Sequence, residues 1–127
     1  MKKAGVLLGL FVAVGFAPVA QAGNKTYINV VVSTAGGYAY GSIGTVRNSG
    51  DTTQTLYCSF YGSGSSAYCF ARDSAGTGAS CSTTDSTLIQ SLRGLNSDSY
   101  LRFHFDGSGN CTQFYIVTGS MYEPKSP

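Results

Sequence analysis

The sequence predicts a mainly β fold of the α+β type, a compact antiparallel sheet or sandwich of about six or seven strands with one short helix. Three observations predict this class. The chain after residue 22 is rich in Thr, Val, Tyr and Phe, which favour pleated sheet. Short runs of alternating apolar and polar residues are separated by turns rich in Gly and Ser. Apolar residues recur at helical spacing in one place, near residues 85–93.

The predicted strands are bounded by glycine-rich turns, and several of them alternate cleanly. In chain order they cover residues 26–33, 38–47, 54–61, 66–72, 79–83, 100–105 and 111–118. The clearest alternation is in 100–105, where Leu101, Phe103 and Phe105 share one face. Because the other face of that strand is polar, we expect one side of the sheet to face the core and the other to face solvent.

The helix is predicted over residues 85–93. The apolar residues at helical spacing are Leu88, Ile89, Leu92 and Leu95. Thr84 or Asp85 can cap the N-terminus of this helix, and Gly94 lies where a glycine commonly ends one. We expect the apolar side of the helix to pack on the sheet face formed by Leu101, Phe103 and Phe105.

The first 22 residues have the layout of a secretory signal peptide. Lys2 and Lys3 form a positive start, an apolar run follows, and an A-x-A cleavage motif ends at Ala22. The alternative is an uncleaved membrane anchor, which Pro18 and Gln21 disfavour because they shorten the apolar run. We therefore expect a bacterial protein that is secreted or periplasmic, begins at Gly23 and has no membrane contact after cleavage.

Residues 23–127 form the single predicted domain, stapled by disulfides and ending in a loose tail from Met121. Without Lys2 and Lys3, six basic residues face six acidic ones, so this part of the chain is neutral. A neutral chain does not support a basic surface for nucleic acid. The expected partner is an unknown protein or glycan, and no nucleic acid.

Four cysteines, all after the predicted cleavage site, predict two disulfides in an exported chain. A structural zinc site is the alternative, but the sequence has no CxxC pair and a single histidine. Four cysteines allow three pairings. A tight turn at residues 62–65 would place Cys58 opposite Cys69, with Cβ atoms about 4.5–5.5 Å apart. That pairing leaves Cys81 to reach Cys111.

The only histidine, His104, lies beside Arg102 on the polar side of strand 100–105. A histidine next to an arginine can act as a general base or bind an anion, which gives the hypothesis of a small secreted hydrolase or toxin. Strand alternation alone already places His104 on a solvent face. We therefore predict no enzyme, no catalytic residue, no cofactor and no metal site.

Tyrosine is the unusual feature of the chain. The tyrosines on predicted strand faces that also carry Ser and Thr are Tyr38, Tyr40, Tyr57 and Tyr61. An exposed tyrosine on a neutral sheet suits sugar stacking or a protein partner, because its apolar ring carries a hydrogen-bonding hydroxyl. The alternative is that these rings cover the second face of the sheet or pack under the helix.

These tyrosines predict a non-enzymatic interaction module that binds a protein or glycan through a Tyr/Ser/Thr-rich sheet face. A further alternative is a surface-fibre subunit joined through edge strands, which needs a long unpaired edge at residues 26–33.

One resemblance rests on short segments around the cysteines. These segments are GSIG at 41–44, RNS at 47–49, LYC at 56–58, CFARDSAG at 69–76, CST at 81–83 and SDSY at 97–100. With them the chain resembles short exported proteobacterial proteins with four cysteines and no assigned activity. The resemblance covers nearly all of residues 23–127. It implies a signal peptide and disulfides, and it implies no catalytic motif.

Overall fold

The structure is a computed structural model that describes residues 23–127, so the predicted signal peptide lies outside the described residues. Its elements are β1 (Val31–Ser33), β2 (Tyr38–Ser42), α1 (Ile43–Asn48), β3 (Thr55–Tyr61), β4 (Ser66–Arg72), β5 (Gly78–Thr83), α2 (Ser86–Leu92), β6 (Ser99–Phe105) and β7 (Cys111–Thr118). Within this range, seven strands form two antiparallel sheets with two short helices. The predicted mainly β class is confirmed.

The two sheets differ in how local their strand pairings are. The three-stranded sheet has the order β3-β4-β5, so its strands follow one another along the chain. The four-stranded sheet has the order β1-β2-β6-β7, which pairs β2 with a strand about sixty residues later. The segment from α1 to α2 is therefore inserted between two strands that are neighbours in space.

The β3–β4 hairpin turns where the sequence predicts. Tyr61 pairs with Ser66, and the turn between them contains Gly62 and Gly64 with φ of 61° and 85°. This left-handed backbone is the reason that glycine occupies both positions. The Gly64 amide donates to the Tyr61 carbonyl at 3.2 Å and closes the turn.

Both predicted disulfides are present. Cys58 and Cys69 lie opposite each other in the hairpin, with Cα atoms 4.1 Å apart. Cys81 at β5 is bonded to Cys111 at the start of β7, with Cα atoms 4.9 Å apart. The second bridge joins the two sheets, and the Ser82 amide adds a hydrogen bond to a carbonyl in the turn before β7. The two bridges therefore staple one sheet internally and the two sheets to each other.

The inner faces of both sheets and one side of α2 share a single apolar core. Its fully or nearly fully buried members are Val30, Ala39, Leu56, Ala67, Cys69, Ala71, Cys81, Ile89, Leu92, Leu101, Phe103 and Cys111. Phe103 and Leu101 have no exposed surface. Burial of such side chains is the main favourable contribution to folding.

The predicted helix is observed as α2, between β5 and β6. The Asp85 side chain accepts hydrogen bonds from the amides of Thr87 and Leu88, which caps the helix as expected. Ile89 and Leu92 are buried in the core that also contains β6 residues, and Leu88 is half-buried. The helix therefore packs on the sheet through the side that the sequence predicts.

The predicted strand over residues 38–47 is wrong in its second half. The strand ends at Ser42, and α1 begins at Ile43. Ile43 and Val46 lie three positions apart, on one side of the helix, and both pack against the core. The apparent alternation of Ile43, Thr45 and Arg47 therefore concealed a helical spacing in a segment of only six residues.

The strand predicted over residues 26–33 is also shorter than expected, since β1 has only three residues. The residues before it bond outside the ladder. The Thr26 amide donates to the Met121 carbonyl at 2.8 Å, and the Val30 amide donates to Oε1 of Gln54 at 2.8 Å. These bonds use backbone donors that a long free edge strand would present to a partner.

The C-terminal residues, for which the sequence predicts a loose tail, run across α1. Nδ2 of Asn48 donates to the Pro124 carbonyl at 2.9 Å, and the Ser126 amide donates to Oδ1 of Asn48 at 2.6 Å. The Glu123 carbonyl lies directly over Gly44, leaving no room for a side chain there. The tail is thus attached to the domain through one asparagine and one glycine of α1.

Candidate binding site

The outer face of the four-stranded sheet carries a continuous set of aromatic residues, which we call the tyrosine face. Its members are Tyr38, Tyr40, Tyr100, Arg102, His104, Gln113, Tyr115 and Tyr122. Strand alternation explains the members on strands, because Leu101 and Phe103 point into the core and their neighbours on β6 point out, whereas Tyr122 comes from the C-terminal tail. The register then places Arg102 between Tyr40 and Tyr115.

The rings of the tyrosine face contact one another in a chain. Tyr38 stacks on Tyr40 with centroids 6.1 Å apart, and Tyr40 lies 6.0 Å from Tyr100. Tyr100 meets the edge of Tyr115 at 6.2 Å and stacks on Tyr122, from the C-terminal tail, at 6.1 Å. Such contacts stabilise the rings by about 0.5–1.5 kcal/mol per pair beyond burial. The rings are therefore held in place before any ligand binds.

Arg102 is at the centre of this face. Its guanidinium carbon lies 4.3 Å from the centroid of the Tyr38 ring and 5.8 Å from that of Tyr40. A cation over an aromatic ring is attracted by the electron-rich ring face. Nε of Arg102 is buried and has no hydrogen-bond partner among the described residues. No residue of the tyrosine face is acidic, so this face presents a positive charge without a neighbouring carboxylate.

Tyr100 is half-buried beside Arg102 on the tyrosine face. Burial raises the pKa of this phenol above its usual value, and the charge of Arg102 offsets part of that effect. A neutral phenol both donates and accepts hydrogen bonds, whereas a phenolate only accepts. Tyr100 therefore keeps a donor available next to the guanidinium.

An open depression of about 300 Å³ lies on the tyrosine face, and it is lined by Tyr100, Arg102, His104, Gln113 and Tyr115. Tyr115 is 57% exposed, which makes it the most accessible ring of the face. The depression thus combines one exposed ring, one cation and several hydrogen-bonding groups.

A larger cleft of about 640 Å³ lies between α1 and β3. Part of its polar wall is engaged within the fold, while Arg47 and Lys125 also line it. Asp51 accepts hydrogen bonds from the Thr53 and Gln54 amides, and Gln54 itself binds the Val30 amide. The cleft is lined by a single aromatic ring, whereas the tyrosine face has several contacting rings around a cation, so the tyrosine face is the better candidate despite its smaller depression.

The structure brings two of the four predicted tyrosines to this site. Tyr38 and Tyr40 lie on the tyrosine face, whereas Tyr57 and Tyr61 lie on the outer face of the three-stranded sheet. Tyr57 contacts the rings of Tyr68 and Phe70 there, with centroids 6.3 and 5.8 Å apart. The predicted set is therefore divided between the two sheets.

Sequence reasoning missed Tyr100, Tyr115 and Tyr122 as members of the site. Alternation had already placed Tyr100 and Arg102 on the polar side of their strand. What the sequence did not contain was the pairing of β2 with β6, which brings that side next to Tyr38 and Tyr40.

His104 lies on the tyrosine face beside Tyr38, with ring centroids 5.9 Å apart. The nearest acidic residue along the strand, Asp106, belongs to the turn after β6. Its carboxylate accepts hydrogen bonds from the amides of Ser108 and Asn110 and from Nδ2 of Asn110. These bonds lower the pKa of Asp106, and they direct its carboxylate to the turn. His104 therefore contacts an aromatic ring, while the Asp106 carboxylate is bonded within its own turn.

Metal-ligand clusters and membrane-spanning helices are both absent from residues 23–127. No group of three or more His, Cys, Asp or Glu residues in this range is arranged to hold a metal ion. No helix in the same range is long and apolar enough to cross a bilayer.

No protein-family model, no curated protein sequence and no solved structure matches the chain. The described part of the chain is a small two-sheet β domain with two disulfides, the kind of cross-link found in oxidising compartments. A fold of this kind does not by itself define a function.

Proposed function

We propose that the protein is a non-enzymatic binding module, secreted or periplasmic, that holds its partner on the tyrosine face. The layout of residues 1–22 and the two disulfides support export into an oxidising compartment. Mass spectrometry of the exported protein is expected to find Gly23 as the first residue. A retained Met1 would support the membrane-anchor alternative instead.

The observation that carries the proposal is the chain of contacting rings around Arg102. Stacked rings lose little conformational entropy on binding, because their neighbours already restrict them. Each tyrosine combines an apolar ring with a hydroxyl, and this combination is typical of residues that dominate binding surfaces. An aromatic sheet face of this kind is suited to binding rather than to bond cleavage.

A glycan is favoured over a protein as the partner. The centre of the face consists of ring faces, phenol hydroxyls, an amide and a guanidinium, with few aliphatic side chains. Protein interfaces of standard size need about 800 Å² from each partner and an apolar centre. A glycan instead needs rings to stack on and groups that hydrogen-bond its hydroxyls, and the tyrosine face offers both.

A pair of matched variants tests the proposal. Tyr115 on the tyrosine face and Tyr61 on the other sheet are exposed to nearly the same extent, 57% and 56%. We expect Tyr115→Ala to weaken binding about 5- to 30-fold, since loss of an aromatic contact residue costs on the order of 1–2 kcal/mol. Tyr61→Ala should leave binding unchanged.

The measurement is capture on a panel of immobilised oligosaccharides and, in parallel, on proteins extracted from the producing cells. The oxidised full chain and both variants are compared on each panel. Equal loss in the two variants, or loss in Tyr61→Ala alone, would contradict a site on the tyrosine face. Binding to a protein that depends on Tyr115 would keep the site and replace the glycan by a protein partner.

A further inference from the structure

We infer that the tyrosine face selects a saccharide that bears a carboxylate, and that Arg102 is the residue that recognises the acid group. This inference rests on the proposed function and names the class of its ligand. It follows from the placement of one cation among rings, and it goes beyond a preference for sugars in general.

The positive charge of Arg102 is only partly compensated by its surroundings. Arg102 is half-buried, its Nε has no hydrogen-bond partner among the described residues, and the face around it contains no acidic residue. A partly desolvated charge is costly unless an opposite charge or hydrogen-bond acceptor compensates for it. The ring of Tyr38, 4.3 Å from the guanidinium carbon, compensates only in part. A ligand that brings an anion is therefore favoured over a neutral one.

The guanidinium of Arg102 favours a carboxylate among anions. A planar guanidinium matches the two oxygens of a carboxylate in a bidentate arrangement. The Tyr38 ring lies 4.3 Å from the guanidinium carbon, so it restricts the movement of the Arg102 head group before a ligand binds. The neutral hydroxyl of Tyr100 and the amide of Gln113 line the same depression and can hydrogen-bond neighbouring sugar hydroxyls.

The size and position of the depression favour a saccharide over a peptide. The depression of about 300 Å³ is at the lower end of small-molecule sites, about 300–1,000 Å³, which suits one monosaccharide unit of a longer chain. A sugar ring stacked on Tyr115 would have its substituents beside Arg102, because these two residues are partners in the β6–β7 register. An extended acidic peptide would instead pair with a sheet edge, and the depression lies on a face.

The test compares two forms of one saccharide. Isothermal titration of the oxidised full chain is carried out with a short oligogalacturonate and with its methyl ester, which has the same sugar rings without the negative charge. We expect the acid to bind about 10- to 100-fold more tightly than the ester, as is typical of a charge-assisted hydrogen bond. High salt should reduce the difference.

The variants Arg102→Gln and Arg102→Lys assign the effect to one residue. Arg102→Gln should reduce acid binding to the level of the ester, and Arg102→Lys should keep part of the difference because it keeps the charge without the planar fork. The matched control is Arg72→Gln, since Arg72 lies over the Phe70 ring on the other sheet, 5.4 Å from its centroid. If Arg102→Gln does not fold, the inference is still tested by the acid–ester difference of the parent protein and by its reduction in Arg102→Lys.

The outcomes separate this inference from the proposed function. Equal binding of acid and ester, with loss in Tyr115→Ala, would overturn the inference and leave a sugar-binding face. Binding of a polyglutamate peptide, but of neither saccharide, would show that the ligand is not a saccharide and would keep Arg102 as an anion site. Acid binding that persists in Arg102→Gln and is lost in Arg72→Gln would place the anion site on the other sheet and overturn both.

Discussion

Asp106 shows how a single residue of this domain couples stability to pH. Its carboxylate accepts hydrogen bonds at 2.9 Å from the amides of Ser108 and Asn110, within the turn that joins β6 to β7. These bonds favour the ionised form and hold the pKa of Asp106 below its ordinary value of 3.8. Because the folded-state pKa is the lower one, the stabilisation is present above pH 3.8 and is lost as the pH falls through the folded-state value.

We predict that Asp106→Asn lowers the free energy of unfolding at neutral pH and that the difference from the parent protein shrinks in acid. Urea unfolding of the parent protein and the variant, at neutral pH and in acid, measures the two free-energy differences. The control is Asp98→Asn, since the carboxylate of Asp98 accepts a hydrogen bond from the Ser97 hydroxyl and from no backbone amide of the described residues. A difference for Asp106→Asn that is the same at both pH values would contradict the role assigned to this turn.

At the scale of elements, α1 and the C-terminal tail depend on each other. The Glu123 carbonyl lies against Gly44, and Asn48 holds the tail by two hydrogen bonds. We predict that Gly44→Ala displaces the tail, because the added methyl group would overlap a backbone carbonyl. Faster hydrogen exchange and faster proteolysis of residues 123–127 are the expected readouts.

The control for that variant is Gly50→Ala, at a position where an added Cβ meets nothing within 4 Å. Since Tyr122 stacks on Tyr100, we also expect Gly44→Ala to change the near-ultraviolet circular dichroism of the tyrosines. An unchanged tail in Gly44→Ala would show that the tail is not held by its packing on α1.

The elements that the sequence predicts well are those with local causes. The β3–β4 hairpin follows from two glycines in a turn, and α2 follows from Leu88, Ile89 and Leu92 at helical spacing and an aspartate cap, while Leu95 lies beyond its end. The segment 38–47 was misread because six residues of helix contain too few apolar positions to distinguish period 3.6 from period 2.

The site was predicted only in part for a related reason. Alternation along β6 assigned Tyr100, Arg102 and His104 to one side of the strand, and this holds in the structure. Which strand lies beside β6 depends on a pairing about sixty residues apart, and no single-strand pattern contains that information. The tyrosines of β2 and β6 therefore become one site only through the topology of the four-stranded sheet.

At the scale of the whole molecule, the two disulfides contribute unequally to stability. The cysteines are separated by 11 residues in the hairpin bridge and by 30 in the bridge between sheets. Constraint of the unfolded chain then gives about 2.8 and about 3.6 kcal/mol, respectively. We predict that the double variant Cys81→Ala, Cys111→Ala is less stable than Cys58→Ala, Cys69→Ala.

Equilibrium urea unfolding without reductant compares the two double variants, which leave no unpaired thiol. Burial acts in the same direction as loop length, since Cys81 and Cys111 are both buried whereas Cys58 is half-buried. If the hairpin bridge contributed more, the link between the two sheets would not be the main constraint on the unfolded chain.

The central claim is that the tyrosine face, and not the aromatic face of the other sheet, is the binding surface. Amide chemical-shift mapping by NMR of the oxidised protein, titrated with the oligogalacturonate, tests this most directly. We predict that the perturbed amides cluster on β2, β6 and β7, centred on Arg102 and Tyr115. Perturbations centred instead on Tyr57 and Tyr61, on the other sheet, would contradict the claim.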